Sequence, residues 1–563
     1  MRGRIAVIAL AVVAVVIAFA GSRAGSNRSK GGGQSSRDAQ PPAGALRLQF
    51  VYSPEKAALI KPLVAAFNAA HVRAGGRVVF VDARNVASGD AEARIAAGRL
   101  QPAVWSPASS LWGRLLDFRA DKNYVAEDNP SVARTPLVIA MWKPEAQALG
   151  WPRQRVGFKE ILRLARSERG WAVIPGGAQF GAFKLGHTNP DFSTSGLSAV
   201  AGEYYAATGT REGLRLADVD RPAVRREIQA TERSIVHYGD TTLFFEQQLA
   251  KYGMAYASAV AMEETTLIDF NSHPHAGPPL VALYPSDGAF YSDDPIAVLH
   301  APWVTPQLRA AGEAFSRFIR RRATPQFVAR FGFRPGDPNV AAVAPIDRGH
   351  GADPAQAKVR LALPAPEVVS HIKDLWHADR KPANVMLVVD TSGSMSQDNR
   401  LEHAEEGLGA FFRQLAPQDR VGLITFSSAS KQVVPLGEFG ENRARLADAV
   451  RRMTADGETA VFDAARQAVD GVRSLHDVSR INAVVLLTDG EDNKSRIGLD
   501  VLLGALRSQS PVEEGAVRVF TIAYGDAADR SPLQQIAAAT GGRAATGDPS
   551  QIAAVYQGIS SFF

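Results

Sequence analysis

Hard oxygen donors gather at three points in the C-terminal third of the chain. The run VMLVVDTSGSMS is apolar up to Asp390 and then offers Ser392 and Ser394 at alternate positions. One carboxylate and two hydroxyls on a single loop are the kind of ligand a small divalent cation takes. Further on, DGETAVFDA sets Thr459 in a Gly-containing turn ahead of a helix-like run, and INAVVLLTDGEDN ends a second apolar strand on Thr488 and Asp489. In an open parallel sheet, the crevice beyond the carboxyl ends of the strands collects such loops at one place. Asp390, Ser392, Ser394, Thr459 and Asp489 would there surround Mg²⁺ or Mn²⁺ with oxygen alone. Each piece by itself is ordinary for a turn or a helix cap. Three pieces in order, each attached to the expected strand or helix, single out a site.

The D-x-S-x-S, T, D pattern resembles the metal-ion-dependent adhesion site of von Willebrand factor A (VWA) domains, with every element present and in order. The resemblance implies that the serines and Thr459 bind the ion directly while the aspartates act partly through water. The ion then keeps enough positive charge to take a carboxylate from an acidic protein partner. A recognition role follows, not an enzymatic one. Water activation by the metal would need a placed general base, and Glu491 and Asp492 lie in an ordinary polar turn. The chain has no G-x-x-x-x-G-K-[ST], H-E-x-x-H or G-x-S-x-G motif. Ser392, standing where a second Asp would be needed, argues against an aspartyl-phosphate phosphatase.

These loops need a scaffold of buried strands. VMLVVD and AVVLLTD are continuous apolar runs, as in strands covered on both faces, which predicts a doubly wound, mainly parallel, Rossmann-like sheet over 383–563. LEHAEEGLGAFFRQL, NRARLADAVRRM, VLLGALRSQ, SPLQQIAAATGG and QIAAVYQGISSFF supply the helices. RVGLITFSS, KQVVPLGEF and VRVFTIAYG supply further strands.

From 46 to 345, short apolar strands also alternate with amphipathic helices, predicting a second α/β domain. LRLQFVYSP, GRVVFVDA, PAVWSP, RTPLVIAMW, WAVIPG, MAYASAV and PLVALYP are the strand candidates. The Tyr52-Ser53-Pro54 and Trp105-Ser106-Pro107 loops, the GHTNPDFSTSGLSAVAGEYYAA segment and the closing FVARFGFRPGDP resemble a type 2 periplasmic solute-binding domain. That resemblance implies two lobes with a ligand cleft between them. A Ser-Thr-Ser-Gly loop opening a helix aims hydroxyls and free N–H groups at one spot, which suits a carboxylate, an oxyanion or a polar solute. Ser193, Thr194, Ser195 and Gly196, with Ser53 and Ser106, are the candidates for ligand contact. The competing reading of the loop is that Ser195 caps a helix from Gly196 to Ala207.

Residues 346–382 are read as a linker. Within them His371, Trp376 and His377 offer either a small ligand set or, the favoured reading, a segment that packs one domain on the other with Trp376 as anchor. His273 and His275 flank a proline in a Pro/Gly-rich loop, without a further ligand at a telling spacing. At the other end, MRGR precedes an apolar stretch from Ile5 to Ala20, then a Gly/Ser/Pro-rich run through about Gly44. The expectation is an export signal or membrane anchor over 1–20 and a tether over 21–45, with the bulk of the chain extracytoplasmic. There are no cysteines, hence no disulfides, thiolate metal site or lipid-attachment cysteine. A net charge of +6 over 563 residues is too small and too dispersed for a nucleic-acid binder. Arg320, Arg321 and Arg322 instead complement a helix C-terminus.

The sequence thus predicts a non-enzymatic, cell-envelope binding protein. Its alternatives are a substrate-binding subunit delivering solute to an ABC permease and, less favoured, a metal-dependent enzyme or chelatase-like assembly factor.

Overall fold

The computed structural model describes residues 40–126, 128–236, 238–525, 528–547 and 552–563. The expected anchor, 1–20, lies outside them. Among the described residues, no helix is long and apolar enough to cross a membrane.

The first α/β part has two sheets. In one, Leu46–Tyr52 runs parallel to Arg77–Asn85 on one side and to Val104–Ser106 on the other, with Ala297–Val298 antiparallel at the edge. The other is built on Ala133–Trp142, ten residues all buried. This strand pairs antiparallel with Ala259–Glu263 and Leu280–Leu283. The chain returns to the first sheet through Ala297–Val298, so neither sheet is continuous in sequence. The helix Pro306–Arg322 starts on Thr305, whose hydroxyl accepts from Leu308 N–H, and ends on Arg320, Arg321 and Arg322, cations at the negative end of the helix dipole.

The second part is one six-stranded sheet in the order Ser430–Glu438, Arg420–Phe426, Ala383–Asp390, Ile481–Thr488, Val517–Tyr524, Ala544–Gly547. Only Ser430–Glu438 is antiparallel to its neighbour. Successive side chains of a strand point to opposite faces, and here both faces are apolar. Val385, Leu387 and Val389 pack with Ala404, Leu408, Phe411 and Tyr556. Met386 and Val388 pack with Ala464, Ala468 and Leu502. The strand is therefore apolar at every position from Val385 to Val389, up to Asp390. The doubly wound, mainly parallel α/β fold expected over 383–563 is the one observed.

Three local expectations differ from the structure. WAVIPG is not a strand: Gly170–Val173 is a single 3₁₀ turn that buries Trp171, whose indole N–H donates to Ser258 Oγ at 2.9 Å. Ala544–Gly547 adds an unforeseen edge strand. The stretch read as linker contains a helix, Pro366–Asp379, begun by a proline at its first position, where the missing N–H costs nothing. That helix joins the two parts. Trp376 is fully buried and meets Tyr238 edge-on at 5.0 Å. Asp379 pairs with Arg225, and Arg380, one residue past the helix, donates to Asp419 at 2.5 Å. Asp419 in turn accepts Ala383 N–H at 2.9 Å, at the start of the central strand.

Trp376→Ala should cost about 3–5 kcal/mol, as for a large core truncation, and should split the unfolding transition as the two parts lose their shared core. Calorimetry of the full chain checks both outcomes.

Candidate functional site

The central strands Ala383–Asp390 and Ile481–Thr488 lie side by side and in parallel, Val389 opposite Leu487. Their neighbours continue in opposite directions across the sheet, so their carboxyl ends form the switch point at which such sheets bind ligands. Asp390 and Asp489 both arrive there with no exposed surface.

The Asp390 carboxylate accepts Ser392 N–H at 2.8 Å and Thr488 Oγ–H at 2.5 Å. Both donors are neutral, and burial pushes the Asp390 carboxyl up to about 6. Ser392 Oγ and Ser394 Oγ are 3.1 Å apart, and Ser394 Oγ–H donates to Asp489 Oδ1 at 2.7 Å. Thr459 comes from the loop before the Val461–Arg473 helix. Its N–H donates to Asn493 Oδ1 at 2.8 Å, while its carbonyl accepts Asn493 N–H at 3.0 Å. Gly393 N–H donates to Gly457 O at 3.0 Å, tying the serine loop to the threonine loop. A Cβ added at Gly490 would sit 3.3 Å from Thr459 Oγ1 and 3.8 Å from Ser394 Oγ. All three loops thus border one small space. The donors are hydroxyl and carboxylate oxygens, and among the described residues no cationic side chain pairs with the buried Asp390. Such a set fits a small hard cation.

Arg400 was not foreseen. It is 9% exposed, and its Nη1 lies 2.7 Å from Asp489 Oδ2. It balances Asp489 and leaves Asp390 uncompensated. Glu491 and Asp492 stay outside the cluster: Asp492 accepts Ser495 Oγ–H at 2.5 Å and Phe462 N–H at 3.3 Å, capping the Val461–Arg473 helix.

In the first part, the candidate contacts divide. Ser193 and Thr194 line a narrow cavity, together with Glu55, Asp240, Thr242 and Glu263. Thr194 Oγ1 accepts the Trp112 indole N–H at 2.8 Å. Ser195 is not the cap; the Thr194–Thr208 helix is preceded by Ser193, and Ser195 lies inside its first turn, 2.9 Å from Thr188 Oγ1. Gly196 packs so tightly on Thr188 that a Cβ would meet its carbonyl at 2.0 Å. Ser53 donates to Glu55. Ser106 accepts from Lys56 Nζ at 3.0 Å and donates to Pro295 O at 2.6 Å. Lys56 itself pairs with Asp294 at 2.9 Å. Three acids therefore face the loop that the sequence suggested for an oxyanion. One of them, Asp240, is paired with Arg543 of the second part. Of the histidines, His273 Nδ1 is 2.9 Å from Asp269 O and His275 stacks on Phe270, while His371 and His377 pair with Asp220 and Asp191.

The family model for bacterial extracellular solute-binding proteins matches residues 48–334. The chain belongs to that family. The model for the von Willebrand factor type A domain matches residues 384–553 of this solute-binding protein, so its second part is a VWA domain. An uncharacterized protein of Synechocystis sp. is 29% identical over 193 residues, 34% of this chain and 42% of that protein. An uncharacterized protein of Mycobacterium tuberculosis is 24% identical over 488 residues, 78% of this chain and 64% of that protein. The chain thus spans less than two thirds of either relative. Among solved structures, a von Willebrand factor type A protein from Catenulispora acidiphila is 23% identical, with a TM-score of 0.29, over 32% of this chain and 42% of that one.

The narrow cavity of the solute-binding domain carries a pH signature. Burial, and next the charge of Glu55, push the Glu263 carboxyl up from 4.5 to about 7. The folded chain then holds a proton that the unfolded chain releases, so stability from this group is lost as pH rises from 4.5 to 7. Glu263→Gln should therefore gain stability relative to the parent between pH 5 and pH 8. Urea unfolding at the two pH values checks it; a constant difference between the two chains would contradict it.

Proposed function

We propose that this protein is an exported, non-enzymatic binding protein. Its VWA domain grips an acidic protein partner through a divalent cation, Mg²⁺ or Mn²⁺, held by Asp390, Ser392, Ser394, Thr459 and Asp489. The observation that carries the reading is the buried Asp390 carboxylate, held only by neutral donors at the edge of an all-oxygen cluster. The ion would supply a positive charge that a partner's carboxylate completes. Ser394 and Arg400 hold Asp489 on both of its oxygens, so its orientation is set before any ion arrives. Because Arg400 already neutralises Asp489, a divalent ion would meet one uncompensated carboxylate and keep charge for the partner.

The solute-binding domain, on this proposal, senses or holds a small ligand. Glu55, Asp240 and Glu263 favour a cationic or donor-rich solute over the oxyanion that the Ser-Thr-Ser-Gly loop suggested. The Arg543–Asp240 pair, a VWA residue joined to an acid that lines the narrow cavity, supports a link between the two domains there. A wider cavity of ≈ 530 Å³, bordered by Asp240 and Phe192 on one side and Gln557 and Gly558 on the other, continues between the two domains. Solute and partner binding would thus share a boundary, a feature that delivery to an ABC permease does not need. The basic start and the apolar run from Ile5 to Ala20 support a membrane anchor with the two domains extracytoplasmic.

Mg²⁺ should raise the melting temperature of the full chain, and EDTA or Asp390→Ala should abolish both that rise and Mg²⁺-dependent pull-down of an acidic partner. Capture that survives both would end the proposal. Arg400→Gln should tighten Mg²⁺ binding about tenfold, roughly 1.4 kcal/mol, while weakening capture, as isothermal titration and pull-down would show.

A further inference from the structure

Away from the strand-end cluster, His187, Glu203 and Glu232 of the solute-binding domain each turn one donor atom toward a common point, all three atoms lying within 4.8 Å of one another. His187 follows the short strand Leu185–Gly186, Glu203 lies within the helix Thr194–Thr208, and Glu232 ends the helix Pro222–Glu232. None is more than 1% exposed.

The histidine has a fixed tautomer. Its Nδ1 lies 2.8 Å from Thr188 O, a carbonyl that only an N–H can satisfy. The neutral ring therefore presents the lone pair of Nε2, which lies 3.2 Å from Glu232 Oε1. Metal-binding histidines are oriented in this way, one nitrogen tied to a carbonyl and the other free to ligate. The second oxygen of Glu232 accepts the Tyr238 hydroxyl at 2.5 Å, a buttress of the kind that holds ligating carboxylates. Glu203 Oε2, in contrast, is buried without a hydrogen-bond partner. A buried polar atom left so is costly, about 1–3 kcal/mol, more if charged.

Charge makes the same point. Two ionised carboxylates beside a neutral imidazole carry two negative charges, which the buried cluster must neutralise. A divalent ion does so with a neutral imidazole and both carboxylates ionised, and it gives Glu203 Oε2 a partner. One imidazole with two carboxylates is a set that suits Zn²⁺.

We propose that His187, Glu203 and Glu232 form a second metal site, a buried Zn²⁺ site in the solute-binding domain, separate from the VWA cluster. Its place suggests a structural role. Tyr238 also accepts Lys381 N–H at 3.0 Å and packs against Trp376, so an ion there would brace the domain against the Pro366–Asp379 helix.

The test uses the full chain carrying Asp390→Ala, which removes the VWA cluster from the count. Elemental analysis after growth with Zn²⁺, and Co²⁺ substitution followed by visible absorption, should show stoichiometric metal and a cobalt spectrum with nitrogen and oxygen ligands. Adding Glu203→Gln, a near-isosteric change, should weaken Zn²⁺ binding at least tenfold, and adding His187→Gln should remove the nitrogen signature. A chain that takes up neither metal, or a Glu203→Gln variant that is more heat-stable and binds Zn²⁺ unchanged, would overturn the proposal. The cluster would then be a buried histidine–glutamate pair beside a protonated Glu203. Because Zn²⁺ uptake in the metal-only assay is independent of partner capture, its failure leaves the VWA reading untouched.

Discussion

The arrangement turns on one constraint, the delivery of two fully buried carboxylates to the same end of a sheet. Adjacent parallel strands must end together, and Ala383–Asp390 and Ile481–Thr488 are in register up to Val389 and Leu487. A slip of one residue would turn every side chain of a strand to the other face. Here it would move Asp390 away from Thr488 and bury a polar edge in an apolar layer. The cores on the two faces of the sheet therefore fix the site's geometry before any loop contributes. The charge those cores bury is answered unequally, by Arg400 on Asp489 and by neutral donors on Asp390. That inequality is what the proposed cation would answer.

The second constraint is that the two domains share apolar volume. Trp376, Tyr238, Phe244 and Phe562 belong to one continuous core with the VWA strands. Phe244 meets Phe562 edge-on at 4.9 Å, bringing the end of the chain against the solute-binding domain. A buried ion pair adds less stability than the apolar contact around it. The Arg225–Asp379 and Arg380–Asp419 pairs are better understood as fixing the angle at which the two domains meet.

Much of this was legible in the chain. VMLVVD and AVVLLTD read as strands covered on both faces because they are, and the five oxygen donors fall at strand ends and a helix start because those places are set by local pattern. What could not be read depends on partners far away in sequence. Ala544–Gly547 has little apolar content and is a strand only because Val517–Tyr524 offers it an open edge. WAVIPG looked like a strand, yet its tryptophan is spent on a turn against Ser258. Pro364 and Pro366 suggested a linker, but the second proline starts a helix. Arg400 and Glu263 gave no local sign at all: one is set apart from Asp489 by 89 positions, the other reaches the cleft from the second sheet.

Electron paramagnetic resonance of Mn²⁺ titrated into the full chain and into Asp390→Ala reads the strand-end cluster itself. Bound Mn²⁺ should appear in the parent and be lost in the variant, with a difference spectrum free of nitrogen coupling, as an all-oxygen site requires. Identical spectra for the two chains, or nitrogen coupling in the difference, would contradict it.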